Sequence, residues 1–199
     1  MNPAERVLLE NKSWAQEKLA LDPHYFQRFS SAQHPELLWI GCSDSRIPPN
    51  EISVTSAGEL FIHRNIANLI VPDDTNVLSV LQYAVHVLEV PHVVVCGHYG
   101  CGGVRAAMQG GVDGPLHAWL ADIRAVQDEH AAELAAIEEV DPRWDRLVEL
   151  NVVNQVRRLA KNPVIQTAWA RGPRPQLHAW VYRLDDGELR ELLVMSPES

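Results

Sequence analysis

Residues 92–103 read HVVVCGHYGCGG, an apolar run followed by a glycine-rich turn and the start of a helical pattern. An unbroken run of β-branched residues is typical of a strand that is covered on both faces, because such a strand has no solvent-facing side. A buried strand that leads through a glycine-rich turn into a helix is the βα unit of a parallel sheet. This stretch therefore predicts an α/β fold.

Four other stretches extend the predicted sheet. Residues 37–42, LLWIGC, form a second unbroken apolar run, and residues 58–64, GELFIHR, are predicted as another strand. Residues 177–184 and 188–195 are predicted as strands on either side of a turn at residues 185–187. We predict a mostly parallel central sheet of four to five strands flanked by helices.

Helical patterns separate these strands. Residues 73–75 supply N-caps for one predicted helix, and residues 104–109 form another. Residues 116–170 are predicted as a series of helices, broken at Asp141-Pro142 and again at Asn162-Pro163.

The N-terminal segment is predicted as a helical arm. Apolar and aromatic residues recur at near-helical spacing within residues 12–30, and the pair Asp22-Pro23 interrupts the pattern, which core helices avoid. We therefore predict an arm over residues 1–35 and a single α/β domain over residues 36–199. The aromatic residues that fit such an arm are Trp14, Tyr25 and Phe26.

The composition restricts the classes of partner. The 199 residues carry a formal net charge of -9, and an acidic surface disfavours nucleic acid and anionic membrane. The densest basic cluster, Arg157, Arg158 and Lys161, is interpreted as a solvated helix face. The sequence has no signal-peptide core and no apolar run long enough to span a bilayer. We expect a cytoplasmic protein without nucleic-acid or membrane partners.

Two short motifs follow two of the predicted strands. CSDSR begins at Cys42 after the first strand, and HYGC spans His98 to Cys101 after the third. Because the carboxyl ends of neighbouring parallel strands meet at one edge of a sheet, these three side chains are expected to face one ion. Two thiolates and one imidazole suit zinc, and three protein ligands leave the fourth position for water or Asp44.

Other roles for the cysteines stay open. Three cysteines give no disulfide framework, although a disulfide between Cys42 and Cys101 is geometrically possible. A redox thiol protein would have titratable cysteines and no metal. Cys96, inside the apolar strand, is interpreted as a small core residue.

Asp44 and Arg46 form a candidate pair beside Cys42. Side chains two residues apart project the same way from an extended backbone, so the guanidinium can grip the carboxylate through two hydrogen bonds. Held in this way, Asp44 stays ionised and can accept a hydrogen bond from metal-bound water. The alternative is an ordinary surface ion pair.

With these motifs the chain resembles the β-class carbonic anhydrases, whose pattern is Cys-x-Asp-x-Arg followed by His-x-x-Cys. The resemblance runs from Trp14 to Val194, which is most of the chain. The supporting stretches are GELF at residues 58–61, RNIAN at residues 64–68 and CGHYGCGG at residues 96–103.

The resemblance implies a zinc enzyme that reversibly hydrates carbon dioxide to bicarbonate and a proton, by attack of a zinc-bound hydroxide. Zinc would be held by Cys42, His98 and Cys101, with hydroxide or Asp44 as the fourth ligand. Asp44 would orient the hydroxide as a catalytic residue, and Arg46 would keep Asp44 in place. The resemblance also implies a homodimer or a dimer of dimers, in which the N-terminal arm wraps the partner.

A finer resemblance is to the bicarbonate-regulated subgroup of that family. Trp39, Arg64 and Tyr182 stand at positions that match a non-catalytic bicarbonate site. Occupation of that site is associated with Asp44 on zinc and an inactive enzyme. Taken singly, Trp39 and Tyr182 also fit the alternative of core aromatic residues.

Two other functions stay open. One is a non-catalytic protein that binds zinc and bicarbonate, or another anion, through Arg46 and Arg64. The other is a zinc hydrolase of carbon disulfide or carbonyl sulfide, which uses the same ligands behind a differently shaped access tunnel. Carbon dioxide hydration separates a carbonic anhydrase from both.

Overall fold

The computed structural model describes residues 1–197 of the chain. The chain divides into two compact units between His34 and Pro35. Residues 198 and 199, which end the predicted α/β domain, lie outside the described residues. Within residues 1–197, no helix has both the length and the apolarity that crossing a membrane requires.

The first unit contains helix α1, Pro3–Leu21, and a short 3₁₀ turn, Gln27–Phe29. The helix begins earlier than the helical pattern of residues 12–30, because a capping box starts it. The Asn2 side chain accepts a hydrogen bond from the Glu5 backbone N–H, and the Glu5 carboxylate accepts one from the Asn2 N–H. The helix ends immediately before the predicted interruption.

The second unit is built on a five-stranded sheet. The strands are β1 Leu37–Cys42, β2 Leu60–Asn65, β3 His92–His98, β4 Gln176–Tyr182 and β5 Leu189–Met195. Their spatial order is β2-β1-β3-β4-β5, and all neighbours pair in parallel except β4 and β5. The predicted α/β fold with a mostly parallel sheet is confirmed, and the one antiparallel strand lies at an edge.

Eight helices of the described residues belong to this unit. They are α2 Pro49–Ile52, α3 Thr75–Gln82, α4 Gly102–Gln109, α5 Gly114–Trp119, α6 Ala121–Glu129, α7 Ala131–Ala135, α8 Val140–Lys161 and α9 Pro163–Trp169. The predicted break at Asp141-Pro142 lies slightly earlier, at residues 136–139 between α7 and α8. Asp141 and Pro142 themselves lie in the first turn of α8, where proline is tolerated because its missing N–H would have no helical partner. The break at Asn162 is confirmed, since its side chain caps α9.

The sheet has a large core on one face and a small one on the other. Leu38 of β1 and Val93 of β3 are fully buried in the large core, to which α8 also contributes. Trp39 and Cys96 are buried in the small core. The Cys96 Sγ–H donates to the Gly97 carbonyl at 3.3 Å, so this cysteine lies in a core as predicted.

Arg158 departs from its predicted role on a solvated face. Its guanidinium donates two hydrogen bonds to Asp122, at 2.5 and 3.1 Å, and one to the Ile70 carbonyl at 3.3 Å. The side chain is only partly exposed because it ties α8 to α6 and to the loop after β2.

A histidine pair lies on strands β3 and β4. His92 Nδ1 and His178 Nε2 are 3.1 Å apart, and His178 Nδ1 lies 2.9 Å from a carboxylate oxygen of Glu191. When both imidazoles are neutral, one of the two facing nitrogens can donate a hydrogen bond and the other can accept it. Burial lowers the pKa of His92, as do His178 and Arg174 to a smaller extent, whereas Glu36 opposes the shift.

We predict that His92→Gln flattens the acid side of the stability profile. Because the pKa of His92 lies below its ordinary value of 6.5 in the folded protein, the unfolded chain binds the proton first as pH falls. The contribution of His92 to the free energy of unfolding is therefore fully retained above its ordinary pKa of 6.5 and decreases as the pH falls below that value. Urea unfolding between about pH 7.5 and about pH 5 measures the slope of each protein. Equal slopes would contradict the prediction.

Candidate metal centre

The sheet brings three metal-binding side chains together. Cys42 ends β1 and His98 ends β3, and these two strands are parallel neighbours in the middle of the sheet. Cys101 follows after a turn in which Gly100 adopts φ +68°, and it caps the N-terminus of α4. The donor atoms of the three side chains all lie within 4.8 Å of one another, and all three residues are buried.

The hydrogen bonds of His98 decide which of its nitrogens faces the two thiols. His98 Nδ1 lies 3.1 Å from the Tyr99 carbonyl, which can only accept, so Nδ1 carries the proton. His98 Nε2 then has a free lone pair, and it is buried without a hydrogen-bond partner among the described residues. Buried acceptors without a hydrogen bond are uncommon in folded proteins, and a metal ion would satisfy this one. A histidine that donates Nδ1–H to a carbonyl is oriented as metal-binding histidines are.

The two thiols lie close enough for each to shift the pKa of the other. Cys42 Sγ and Cys101 Sγ are 3.9 Å apart. The hydrogen bond from Cys101 is the main cause that lowers the pKa of Cys42 to about 4, against the effect of burial. The same hydrogen bond and burial raise the pKa of Cys101, although the backbone N–H groups of Gly103 and Val104 act in the other direction. A thiolate, the form that binds metals, is therefore available at neutral pH.

Asp44 and Arg46 make the predicted two-point contact. Arg46 Nε donates to Asp44 Oδ1 at 2.9 Å and Arg46 Nη2 donates to Asp44 Oδ2 at 2.7 Å. The reason given from strand alternation was wrong, because β1 ends at Cys42 and the pair lies in a turn. In this turn the Asp44 carboxylate also accepts the Arg46 backbone N–H at 3.0 Å. The Arg46 hydrogen bonds hold the pKa of Asp44 well below its usual range.

The Asp44 carboxylate lies beside the three donors. Asp44 Oδ2 is 3.8 Å from His98 Nε2, the buried nitrogen without a partner. The role of Asp44 as a fourth ligand stays a prediction, since the group of converging donors consists of Cys42, His98 and Cys101. In the present arrangement the carboxylate is instead directed at Arg46.

Arg64, the first residue of RNIAN, supports the loop that carries Asp44. It lies in β2 opposite Gly41, and its guanidinium donates to the Cys42 carbonyl at 2.8 Å and to the Asp44 carbonyl at 2.6 Å. Trp39 and Tyr182 belong to the small core. Among the described residues, no hydrogen bond joins Arg64 to either aromatic side chain.

The indole N–H of Trp39 is a buried hydrogen-bond donor. Its ring packs edge-on against Trp180, with centroids 6.1 Å apart, and its Nε1–H has no partner among the described residues. Gly41 makes room for the ring, since a Cβ at that position would lie 2.5 Å from Trp39 Nε1.

Sequence reasoning missed the support that α8 gives to the ligand turn. Trp144 Nε1 donates to the Cys101 carbonyl at 3.0 Å, and the Tyr99 hydroxyl donates to Glu149 at 2.6 Å. Asp145 accepts the Gly100 N–H at 3.4 Å. The helical spacing of these residues indicates one face of α8, but nothing in the local sequence indicates what that face contacts.

The chain matches the family model described as carbonic anhydrase over residues 37–189. It is 45% identical over 193 residues to a carbonic anhydrase of Emericella nidulans, covering 97% of this chain and 85% of that protein. It is 35% identical to a carbonic anhydrase of Candida albicans, covering 87% of this chain but only 62% of that protein.

Solved structures give the same result. One of two tetrameric β-carbonic anhydrases from Sordaria macrospora superposes with a TM-score of 0.93 at 39% identity, covering 98% of this chain and 100% of that chain. A Coccomyxa β-carbonic anhydrase in complex with acetazolamide has a TM-score of 0.92 at 38% identity, covering 98% and 89%. With the family model and relatives of this identity in agreement, the chain belongs to the β-class carbonic anhydrase family.

Proposed function

We propose that this protein reversibly hydrates carbon dioxide to bicarbonate and a proton, with Zn²⁺ held by Cys42, His98 and Cys101. The observation that carries the proposal is the buried convergence of two thiols and one unpartnered imidazole nitrogen at the ends of two central strands. Family membership supports the reaction, and the donor set supports the metal.

The donors suit zinc in chemistry and in spacing. Two zinc–sulfur bonds of about 2.3 Å at the tetrahedral angle place the sulfur atoms about 3.8 Å apart, and the two sulfur atoms here are 3.9 Å apart. Zinc bound at this site supplies a Lewis acid that makes water a nucleophile near neutral pH.

The protein's own groups control the position of that water. The ionised Asp44 carboxylate can accept a hydrogen bond from it, which orients the oxygen toward carbon dioxide. Arg46 holds the carboxylate through two hydrogen bonds, and this grip would keep it off a metal bound by the three donors. Asp44 is thus the catalytic residue that meets the reacting water, and Arg46 is a positioning residue.

We further propose that the protein works in the cytoplasm as a homodimer or a dimer of dimers, with residues 1–35 as an arm on the partner. The tetrameric state of the Sordaria macrospora relative supports assembly. The aromatic residues of the first unit contact one another, with Trp14 ring centroids 6.4 Å from Tyr25 and 5.5 Å from Phe26.

Stopped-flow measurement of carbon dioxide hydration by the zinc-loaded protein tests the function. We expect a saturable rate that rises from about pH 7 to about pH 9, as the zinc-bound water ionises. Full zinc occupancy without hydration at any pH would refute the proposal. It would favour an anion-binding protein or a hydrolase of carbon disulfide or carbonyl sulfide, which the same assay distinguishes when those substrates are supplied.

We also propose that bicarbonate inhibits the enzyme at a second site formed by Trp39, Arg64 and Tyr182. The unpartnered Trp39 N–H is a donor available to an anion. Arg64 holds the Asp44 carbonyl, so an anion that draws the guanidinium away loosens the loop on which Asp44 depends.

Trp39→Phe is expected to weaken inhibition by bicarbonate about tenfold or more, because a hydrogen bond to a charged group contributes about 1.5–3 kcal/mol. The measurement is the hydration rate at increasing bicarbonate, for this variant and for Tyr182→Phe. Trp180→Phe is the matched control, since Trp180 packs on Trp39 but its Nε1–H is already bonded to Glu191. Unchanged inhibition in both test variants would refute the second site.

A further inference from the structure

The loop after β2 has an unusual backbone. Ala67 and Asn68 both lie in the left-handed region, with φ +63° and +52°. L-residues with side chains rarely adopt this conformation, and two in succession persist only where the surroundings enforce them. Both residues are buried, so water does not stabilise the loop.

This loop contacts both halves of the metal centre. Asn65, where the loop begins, pairs with Cys42 in the sheet, and its carbonyl accepts the N–H of Ser43, directly after Cys42, at 2.9 Å. On its other side the loop packs against the start of α4, directly after Cys101. A Cβ at Gly103 would lie 2.8 Å from Ile66 and 3.2 Å from the Ala67 Cβ, so only glycine allows this approach.

Two buried amides on α8 hold the loop. Asn151 Nδ2 donates to the Ala67 carbonyl at 3.2 Å, and Gln155 Nε2 donates to Asn151 Oδ1 at 3.0 Å. Gln155 Oε1 in turn accepts the Ile70 backbone N–H at 2.9 Å. The two side chains, one helical turn apart, thus form a ladder that reaches the loop at Ala67 and at Ile70.

Burying the two amide side chains of the ladder costs free energy, which indicates that they have a role at this site. Asn151 is 1% exposed and Gln155 0% exposed, in a helix whose inner face is otherwise apolar. Burying an amide is unfavourable unless all its hydrogen bonds are made. Among the described residues, the fully buried polar side chains are these two, Asn68 of the loop and His98 of the metal centre. Three of these four lie in the loop or bond to it.

We propose that Asn151 and Gln155 are positioning residues for the metal centre. They hold Ala67 and Asn68 in the left-handed conformation, which keeps the loop against the end of β1 at Cys42 and against the start of α4 behind Cys101. They touch no reacting atom and act through the loop. The inference rests on the proposed function for the presence of the metal, but it predicts metal affinity rather than turnover.

The test is Asn151→Leu, which removes the bond to the loop while keeping the number and branching of the side-chain heavy atoms. The Zn²⁺ dissociation constant is measured by competition with a chelator, and the thiolate-to-metal absorption band is recorded with Co²⁺. We expect affinity to fall about 10- to 100-fold, as for other supports of metal ligands, with a shifted Co²⁺ band. Gln155→Leu is expected to give a smaller loss in the same direction.

Val156→Ala is the matched control, because Val156 is fully buried on the same helix. It is expected to lower the free energy of unfolding and leave Zn²⁺ affinity and the Co²⁺ band unchanged. Adding Ala67→Gly to Asn151→Leu is expected to recover affinity, because glycine adopts positive φ without enforcement.

The outcomes separate this inference from the proposed function. Wild-type affinity in Asn151→Leu, equal losses in Val156→Ala, or no recovery with Ala67→Gly would each overturn the positioning role. Tight metal binding by the wild-type chain without carbon dioxide hydration would overturn the proposed function and leave the affinity comparison intact.

Discussion

Cys101→Ala is expected to abolish tight metal binding and, with it, carbon dioxide hydration. The substitution removes one of three buried donors and the hydrogen bond that keeps the pKa of Cys42 low. Loss of the metal's contribution of several kcal/mol to transition-state stabilisation lowers kcat/KM at least about a thousandfold, since about 4 kcal/mol corresponds to three powers of ten.

Metal content by mass spectrometry and stopped-flow hydration measure the two effects. The chain supplies its own control in Cys96→Ala, which removes a buried thiol of the small core that takes no part in the metal centre. That variant is expected to retain metal and activity while losing some stability. A Cys101→Ala protein with full metal content would show that the ligand assignment is wrong.

Arg46→Ala is expected to lower kcat/KM about 10- to 100-fold, the usual effect of removing a side chain that orients a metal-site group. Arg46 lowers the pKa of Asp44, so its loss raises that pKa toward the ordinary value of 3.8. Asp44 remains ionised at neutral pH, and activity is therefore expected to fall equally across about pH 7 to 9 rather than on the acid side alone.

Two further variants separate charge from geometry. Arg46→Lys retains the positive charge but not the planar fork, and it is expected to recover only part of the loss. Arg190→Ala breaks an exposed ion pair with Asp186, at 2.7 Å, on the antiparallel edge strand. It is expected to leave kcat/KM unchanged. Full activity in Arg46→Lys would show that charge alone holds Asp44.

Strands β1 and β3 could be predicted from sequence because each is an unbroken apolar run, which is the pattern of a strand covered on both faces. The convergence of Cys42, His98 and Cys101 followed from the same pattern, since parallel neighbours place their carboxyl ends together. The Asp44–Arg46 pair was also found, although a turn creates it rather than strand alternation.

Other features depend on information that is absent from the local pattern. Asp141-Pro142 has the same composition whether it breaks a helix or begins one, and the packing of α8 decides between them. The positive φ of Ala67 gives no sequence signal, because alanine ordinarily avoids it. The bond from Asn151 to this loop spans 84 positions and exists only in the folded chain.

The separation of 59 positions between Cys42 and Cys101 has a consequence for the order of assembly. Before β3 pairs with β1, a metal ion at the end of β1 would find only Cys42. His98 and Cys101 arrive with β3. Pairing parallel strands over such a separation is a slow, late step of folding, because the intervening loop must close first. The metal is therefore expected to enter after the sheet has formed and to slow its reopening, so that metal loading reports on the completion of folding.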